Sequence, residues 1–424
     1  MTGAPHVYVL IQPGATRVVG STIWQDHFCA SLRRMGWCVH EPEGFWDPFL
    51  DPVRPLPRAE WFRDRAARTE RILVEVRDLH EKHGLAFFLG YLDDLLVDPV
   101  LLGEISRTGV PTVHFSCDNL RGVRGIQGMA AAADVNWITE SDAIPVYEAR
   151  GWRYLWLPMA ANPDICQPDD REEFPVTFVG SQEPLRTHVL GHVAQAGIPL
   201  EVYGCGWPAQ TTRDTRGNGV SLLPPARMST WRKARRLAAV WAHYADWRRD
   251  PLGARAAANW VRLKRLGATY GRHVAHCCKG PLSDADMFER YARSQVTLGI
   301  NRLVQPFGDP LRPSTYVRQR DFEAPMCGAC YLTEYVPEHE RLYELGVEIE
   351  TWQTLPELVE KTHALLADPP RRRRLRLNAR RAALARHTWQ ARFEKLFAHL
   401  GIADGAPGVA ASAAGPASGW CKVE

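Results

Sequence analysis

Residues 176 to 190 read VTFVGSQEPLRTHVL. A β-branched and aromatic run, Val176 to Val179, stops at Gly180-Ser181, and a helical pattern follows over 185–196, so the stretch predicts a buried strand that hands a tight turn to a helix. The same unit recurs on both sides. LEVYGCGW, VTLGINR and CYLTEY read as further strands, with a helix over 318–327 before the last of them. Upstream, HVYVLI at 6–11 runs into Pro13-Gly14, and a helix follows that Ser21 or Thr22 can cap and Gly36 ends. CVHEP, LAFFLGY, TVHFS and VNWIT continue as strands, with helices near 59–83 and 97–107 between them. Strands alternating with helices predict an α/β protein with parallel, doubly wound sheets. The rhythm breaks once, over 158–175, where four prolines and several aspartates mark a linker. The chain therefore divides into an N-terminal domain over 1–165 and a C-terminal domain over 166–400. Ligands of such sheets sit beyond the carboxyl ends of strands, which makes the loops after 11, 114, 180, 204 and 301 the candidate site.

Composition excludes several classes. Hydrophobic residues make up 45% of the 424 and charged residues 24%, the balance of an ordinary globular chain. A net charge of +4 is too small at this length to argue for a nucleic-acid partner. No stretch reaches the roughly 18 apolar residues of a membrane span, and MTGAPHVYVLIQPG has no basic leader region, so the expected location is cytoplasmic. The 10 cysteines are scattered through apolar segments, as reduced buried thiols are.

Two segments break the pattern. Residues 226–279 interleave Trp231, Trp241, Tyr244, Trp247 and Trp260 with arginines. Their spacing predicts a helical insertion packed on the C-terminal domain. A docking surface for an anionic or lipid-linked acceptor is the alternative. Base stacking on these tryptophans would serve a nucleic acid, but no nucleic-acid fold accompanies them. Residues 403–424, rich in Ala, Gly, Ser and Pro, predict a disordered tail. RRRRLRLNARR at 371–381 reads as a helix with a solvated basic face.

The stretch RQRDFEAPMCGACYLTEY, 318–335, holds a C-x-x-C at Cys327 and Cys330. A zinc site needs about four ligands, and a redox pair needs its first cysteine at a helix N-terminus. Neither context is present, so both read as small buried residues. HVAHCC at 273–278 could offer ligands only by tertiary coincidence. The charged residues just upstream carry more. Arg320 can supply a fixed, forked charge to an anion, and the start of its helix offers backbone donors to a diphosphate. Glu323 could accept hydrogen bonds from two neighbouring sugar hydroxyls. A plain amphipathic helix start explains the same residues equally well.

VTFVGSQEPLRTHVL, LEVYGCGW, MFERYARSQVTLGINR, RQRDFEAPMCGACYLTEY and the stretch from GVEIETWQ to HTWQAR together resemble the C-terminal half of group 1 glycosyltransferases. The branch typified by spore maturation protein CgeB is the most similar. SLRRMGWCVHEPEG and the stretch from ITESDAIPVYEARG to NPDICQP resemble that family's first half, and the likeness covers roughly 5–225 and 280–397. The resemblance implies the GT-B architecture, two Rossmann-like domains facing a cleft, with a nucleotide-sugar donor held by the second. It implies that Glu323 binds the donor ribose and that Arg320 belongs to an R-x-F-E signature. It places Gly180, Ser181 and Arg186 at the diphosphate, and Tyr203, Gly204, Gly206 and Trp207 near the base. Asn301 and Arg302 match a loop that closes over the phosphates. One position departs from the pattern: Thr315 stands where many group 1 enzymes carry a sugar-binding glutamate.

Breaking the bond between a sugar and a nucleotide leaves a diphosphate anion, so fixed positive charge must face it. Arg186, Arg302 and Arg320 are the candidates. The resemblance implies metal-independent transfer with retention of configuration, no cofactor beyond the nucleotide-sugar co-substrate, and an acceptor of unspecified class. In the N-terminal domain His114 and Asp118 end a strand and could position acceptor or sugar. A near-core histidine is the plainer reading of His114. Thr315 also motivates an alternative function, a non-catalytic nucleotide-binding scaffold or partner subunit on the same fold.

Overall fold

A computed structural model describes residues 4–11, 21–42, 58–94, 96–208, 251–303 and 313–402. The insertion residues 226–250 and the tail 403–424 lie outside them. Two six-stranded sheets organise the chain, and every pairing within them is parallel. The first holds β1 (His6–Ile11), β2 (Cys38–His40), β3 (Leu85–Tyr91), β4 (Thr112–Ser116), β5 (Val135–Ile138) and β6 (Tyr154–Trp156) in the order β2-β1-β3-β4-β5-β6. The second holds β7 (Phe174–Val179), β8 (Leu200–Tyr203), β9 (Cys278–Gly280), β10 (Ser294–Gly299), β13 (Tyr331–Glu334) and β14 (Glu350–Trp352) in the order β14-β13-β10-β7-β8-β9. A two-stranded ribbon pairs β11 (Arg302–Leu303) with β12 (Ser314–Thr315).

These residues make parallel strands because both faces are covered. Val7, Tyr8, Val9 and Leu10 are all buried, so β1 is apolar without alternation. In the second sheet the chain starts at β7, adds β8 and β9 on one side, then crosses to add β10, β13 and β14 on the other. The reversal between β7 and β10 opens a crevice at their carboxyl ends. It lies beside Gly180-Ser181 and Ile300-Asn301.

The predicted strands and helices are present, with ends moved by a few residues. The helix after β1 is two short pieces, Ile23–His27 and Cys29–Arg34, and Thr22 makes no side-chain cap to it, donating instead to Asp26 at 2.8 Å. The helix Pro251–Val274, the described end of the insertion, packs on the helix Pro184–Gln195. Small residues permit the approach: a Cβ on Gly191 would meet Tyr270 at 2.6 Å, and one on Gly267 would meet Pro184 at 3.4 Å.

The basic run corrects the expectation of a purely solvated face. It lies in the helix Pro369–Arg386, where Arg372 and Arg376 are buried. Arg372 donates to the carbonyls of Leu365 and Leu366 at 2.7 and 2.9 Å and pairs with Glu172. Arg376 donates to Asp169 and Ala292 carbonyls, and Arg380 to those of Cys166 and Met326. Guanidinium donors on this helix thus satisfy carbonyls at the ends of neighbouring helices and in the interdomain stretch, which a lysine's point charge does less well. The last described helix, Trp389–Leu400, returns to the first half. Trp389 and Phe393 sit in one aromatic cluster with Phe28, Phe115 and Trp137.

Candidate functional site

The turn after β7 is built on backbone contacts that exclude side chains. Gly180 N–H donates to the Tyr203 carbonyl at 2.9 Å, and Gln182 N–H donates to that of Cys205 at 2.8 Å. Gly204 has φ +127°, and a Cβ there would run into the backbone of Gly180. Trp207 is buried and donates its indole N–H to the Gly180 carbonyl at 2.7 Å. The Tyr203 hydroxyl donates a hydrogen bond to Glu201 at 2.6 Å and accepts one from Arg290 at 3.2 Å. Tyr203 and Trp207 therefore buttress the turn. Gly206, at φ +88°, lies against Gln182.

Three guanidiniums converge above this turn. A Cβ on Gly180 would stand 2.6 Å from Nη2 of Arg320, so only glycine lets that arginine lie across the backbone. Arg320 and Arg186 both lie over the Phe178 ring, at 4.8 and 5.8 Å. Arg186, in the first turn of the Pro184–Gln195 helix, donates to the Ser181 carbonyl at 2.8 Å and hydroxyl at 2.9 Å. Arg318 was not among the residues singled out in the sequence, yet it completes the group. Nε of Arg186, Nε and Nη2 of Arg318, and Nε and Nη1 of Arg320 are buried with no hydrogen-bond partner. Burial first, then the like charges of Arg318 and Arg320, pull the Arg186 guanidinium down to about 9. Crowded cations with unused donors at the start of a twelve-residue helix make a place for a polyanion.

The helix Arg320–Met326 supplies carboxylates below that cluster. Its seven residues are all buried. Asp321 accepts from Tyr331 at 2.7 Å, Thr333 at 3.0 Å, Asn301 at 3.2 Å and the Arg318 backbone N–H at 2.5 Å. Burial alone would raise its carboxyl, but His339, the Arg318 N–H and Tyr331 hold it at about 2. The start of this helix is therefore occupied by its own side chains, against the expectation that it offers free backbone donors to an anion. Glu323 lies 2.9 Å from Nε2 of His27, which belongs to the opposite domain. Gln319 stands 3.1 Å from the same imidazole nitrogen and donates to the Ala160 carbonyl at 2.6 Å.

Asn301 and Arg302 belong to a second anchor. The backbone N–H groups of both donate to Glu334 at 3.0 Å, and the Arg302 side chain pairs with the same carboxylate. Thr315 sits opposite Arg302 in the ribbon register.

The facing domain closes the site from above. Asp118, at the carboxyl end of β4, accepts a hydrogen bond from the Tyr316 hydroxyl and lies 3.8 Å from Arg318. Glu140, after β5, accepts from the Leu120 N–H at 3.2 Å, and its Oε1 is buried without a partner. His114 is corrected to a core residue. It is fully buried, and its two ring nitrogens are engaged by Asn136 at 3.1 Å and the Leu92 carbonyl at 3.0 Å. Nothing is left to offer an acceptor.

Cys327 and Cys330 are both fully buried, and they serve different neighbours. Cys327 lies against Cys166 of the interdomain stretch, thiol to thiol, while burial pushes the Cys330 thiol up to about 12. Among the described residues no group of three or more His, Cys, Asp or Glu side chains could hold a metal ion, and no helix is long and apolar enough to cross a membrane.

Residues 248–398 match a protein family described as glycosyl transferase-like. No curated protein matches the chain. Solved structures that resemble it include sucrose-phosphate synthase from Thermosynechococcus elongatus, 14% identical, with a TM-score of 0.54 over 94% of this chain and 100% of that one. Anabaena HepE, solved in complex with UDP and glucose, is 12% identical with a TM-score of 0.54 over 92% of this chain and 99% of that one. A glycosyltransferase from Rickettsia africae is 8% identical with a TM-score of 0.51 over 93% and 98% of the two chains. At these identities the likeness is one of fold: the two facing parallel sheets are the GT-B architecture.

Proposed function

We propose that the chain is a glycosyltransferase that takes a sugar from a nucleotide-sugar and passes it to a separate acceptor. The observation that carries this reading is the trio Arg186, Arg318 and Arg320, with five unpartnered buried nitrogens over a glycine turn and a helix start. A nucleoside diphosphate is a polyanion of the kind such a cluster of guanidiniums binds, and it is also the leaving group of the reaction. Donors and charges already aimed where negative charge develops lower the barrier without reorganising. The trio supplies that charge from side chains, which supports a metal-independent transfer. The family model over 248–398 and the GT-B fold support the same class.

In this reading Glu323 faces the donor ribose and shares it with His27 across the cleft. Arg302, tethered by Glu334, edges the phosphate end. Retention of configuration is part of the proposal and follows the resemblance to group 1 enzymes; the anomeric proton coupling of the product reports it. The second reading, a nucleotide-binding scaffold without turnover, is favoured by Thr315 in the place of an acidic sugar ligand.

Calorimetry against UDP, GDP, dTDP and ADP, followed by turnover of the matching nucleotide-sugars, tests the proposal. UDP comes first because HepE, of the same fold, was solved with it. Binding of one nucleotide with release of it from its sugar is expected. Binding without turnover across acceptors would establish the scaffold reading, and no nucleotide binding would defeat both.

A further inference from the structure

Asp118 is the one non-glycine residue at positive φ among the described residues, at 53°. An aspartate tolerates this left-handed backbone at a cost, so something must hold it. Its neighbours do. Asn119 Oδ1 accepts from the Thr139 N–H at 3.0 Å and the Glu140 N–H at 3.3 Å, and Glu140 returns a bond by accepting from Leu120 N–H at 3.2 Å. The turns after β4 and β5 are thereby cross-tied. The side chain of Asp118, 43% exposed, reaches over to the facing domain, to Tyr316 and to Arg318. Arg318 thus stands between an acceptor-side carboxylate and the other two arginines of the trio.

We propose that Glu140 is a positioning residue for the donor diphosphate: it pins the Asp118 turn, and with Asp118 it sets how strongly the acceptor domain's carboxylates compete with the anion for Arg318. The inference rests on the donor-site reading above. The groups facing Glu140 are Asp118, Cys117 and Tyr147 from its own domain, and Arg318 and Tyr316 from the other. Burial, and then the Asp118 charge, push the Glu140 carboxyl up to about 8. At pH 7 it keeps its proton, and the pair carries one negative charge. As pH rises through that value a second carboxylate forms next to Asp118, within electrostatic reach of Arg318, which already feels Asp118 and Glu183. It then competes with the diphosphate for the guanidinium, so anion affinity falls on the alkaline side.

The test is calorimetric affinity for pyrophosphate and for UDP between pH 6.5 and 9, in the unmodified chain and in Glu140→Gln. The probes' own phosphates lose protons over this range, so the reading is the difference between the two proteins: relative to Glu140→Gln, the unmodified chain is expected to lose about tenfold in affinity, the weight of one charge-assisted contact. Glu140→Gln keeps an acceptor for the Leu120 N–H and cannot ionise, so it should match at pH 7 and lose much less at pH 9. Any loss from Arg186 deprotonation is common to both proteins. Superimposed profiles, or weak binding by Glu140→Gln at pH 7, would overturn the inference while leaving the donor site standing. Asp118→Asn gives a second arm. Without its charge the Glu140 midpoint should move below that of the unmodified chain, and an unmoved midpoint counts against the proposal. Failure of the unmodified chain to bind either probe would remove the donor reading, and this inference with it.

Discussion

Asp321 and Glu323 are two residues apart on one buried helix and do different work. Asp321 spends its oxygens inside its own domain, fixing Asn301, Tyr331 and the backbone just before Arg320. Glu323 reaches across the cleft to His27. Asp321→Asn keeps the shape but turns one acceptor oxygen into a donor facing other donors. It should cost about 2–4 kcal/mol in urea unfolding, since it leaves buried donors unmatched. The acid limb should change as well. The folded carboxyl at about 2 lies below its unfolded value of 3.8, so its stabilisation is present above that value and lost as pH falls through about 2. Glu323→Ala should instead weaken nucleotide binding by about 1–3 kcal/mol, read by calorimetry, because it removes the proposed ribose acceptor. Affinity equal to the unmodified chain would end that role. Gly180 was legible in the sequence because strand and turn punctuation places it at a strand's carboxyl end, whereas Arg186 and the ribose role of Glu323 came from the resemblance to group 1 glycosyltransferases. Arg318 and Glu140 were not legible, because their roles depend on which way a turn aims them across a domain gap. Local pattern carries no such information.

At the scale of elements, periodicity was a sound guide wherever an element has one face or none exposed. HVYVLI, LAFFLGY and TVHFS are strands at the residues their apolar runs marked. The helix Pro369–Arg386 shows where it misleads. Eight arginines in eighteen residues read as solvated surface, yet three of them point inward and hold carbonyls of neighbouring helices and of the interdomain stretch. A long side chain with an apolar stem and a planar head can be buried at little cost when loop carbonyls are waiting for donors. The C-x-x-C does not mislead, because its surroundings already read as buried, and both thiols are. Its two thiols look like partners by spacing, but the helix-to-strand turn at Gly328, φ +68°, sends Cys327 towards Cys166 and Cys330 into the core of the second sheet.

At the scale of the whole molecule, the domain boundary read from the prolines at 158–175 separates the two sheets but not the two cores. One apolar cluster runs from Phe28, Phe115 and Trp137 through Trp389 and Phe393 to Phe322 and Tyr331 of the second half. The last helix makes the join. Trp389 is fully buried, with its ring 4.7 Å from Phe28, 5.8 Å from Trp137 and 5.6 Å from His27, the residue that meets Glu323. The sequence of that helix shows an apolar stripe but not which sheet it will cover, since both present apolar faces. Trp389→Ala removes a large side chain from a site enclosed by rings that cannot collapse, at a cost of about 3–5 kcal/mol. Because the cluster is shared, the loss should lower one common transition: the two halves should unfold together in the variant as in the unmodified chain, at lower urea. Hydrogen exchange resolved by segment can follow both sheets at once. Early opening of the first sheet alone, with the second keeping its unmodified protection, would show that the halves are independent and that the last helix is a strap, not part of a common core.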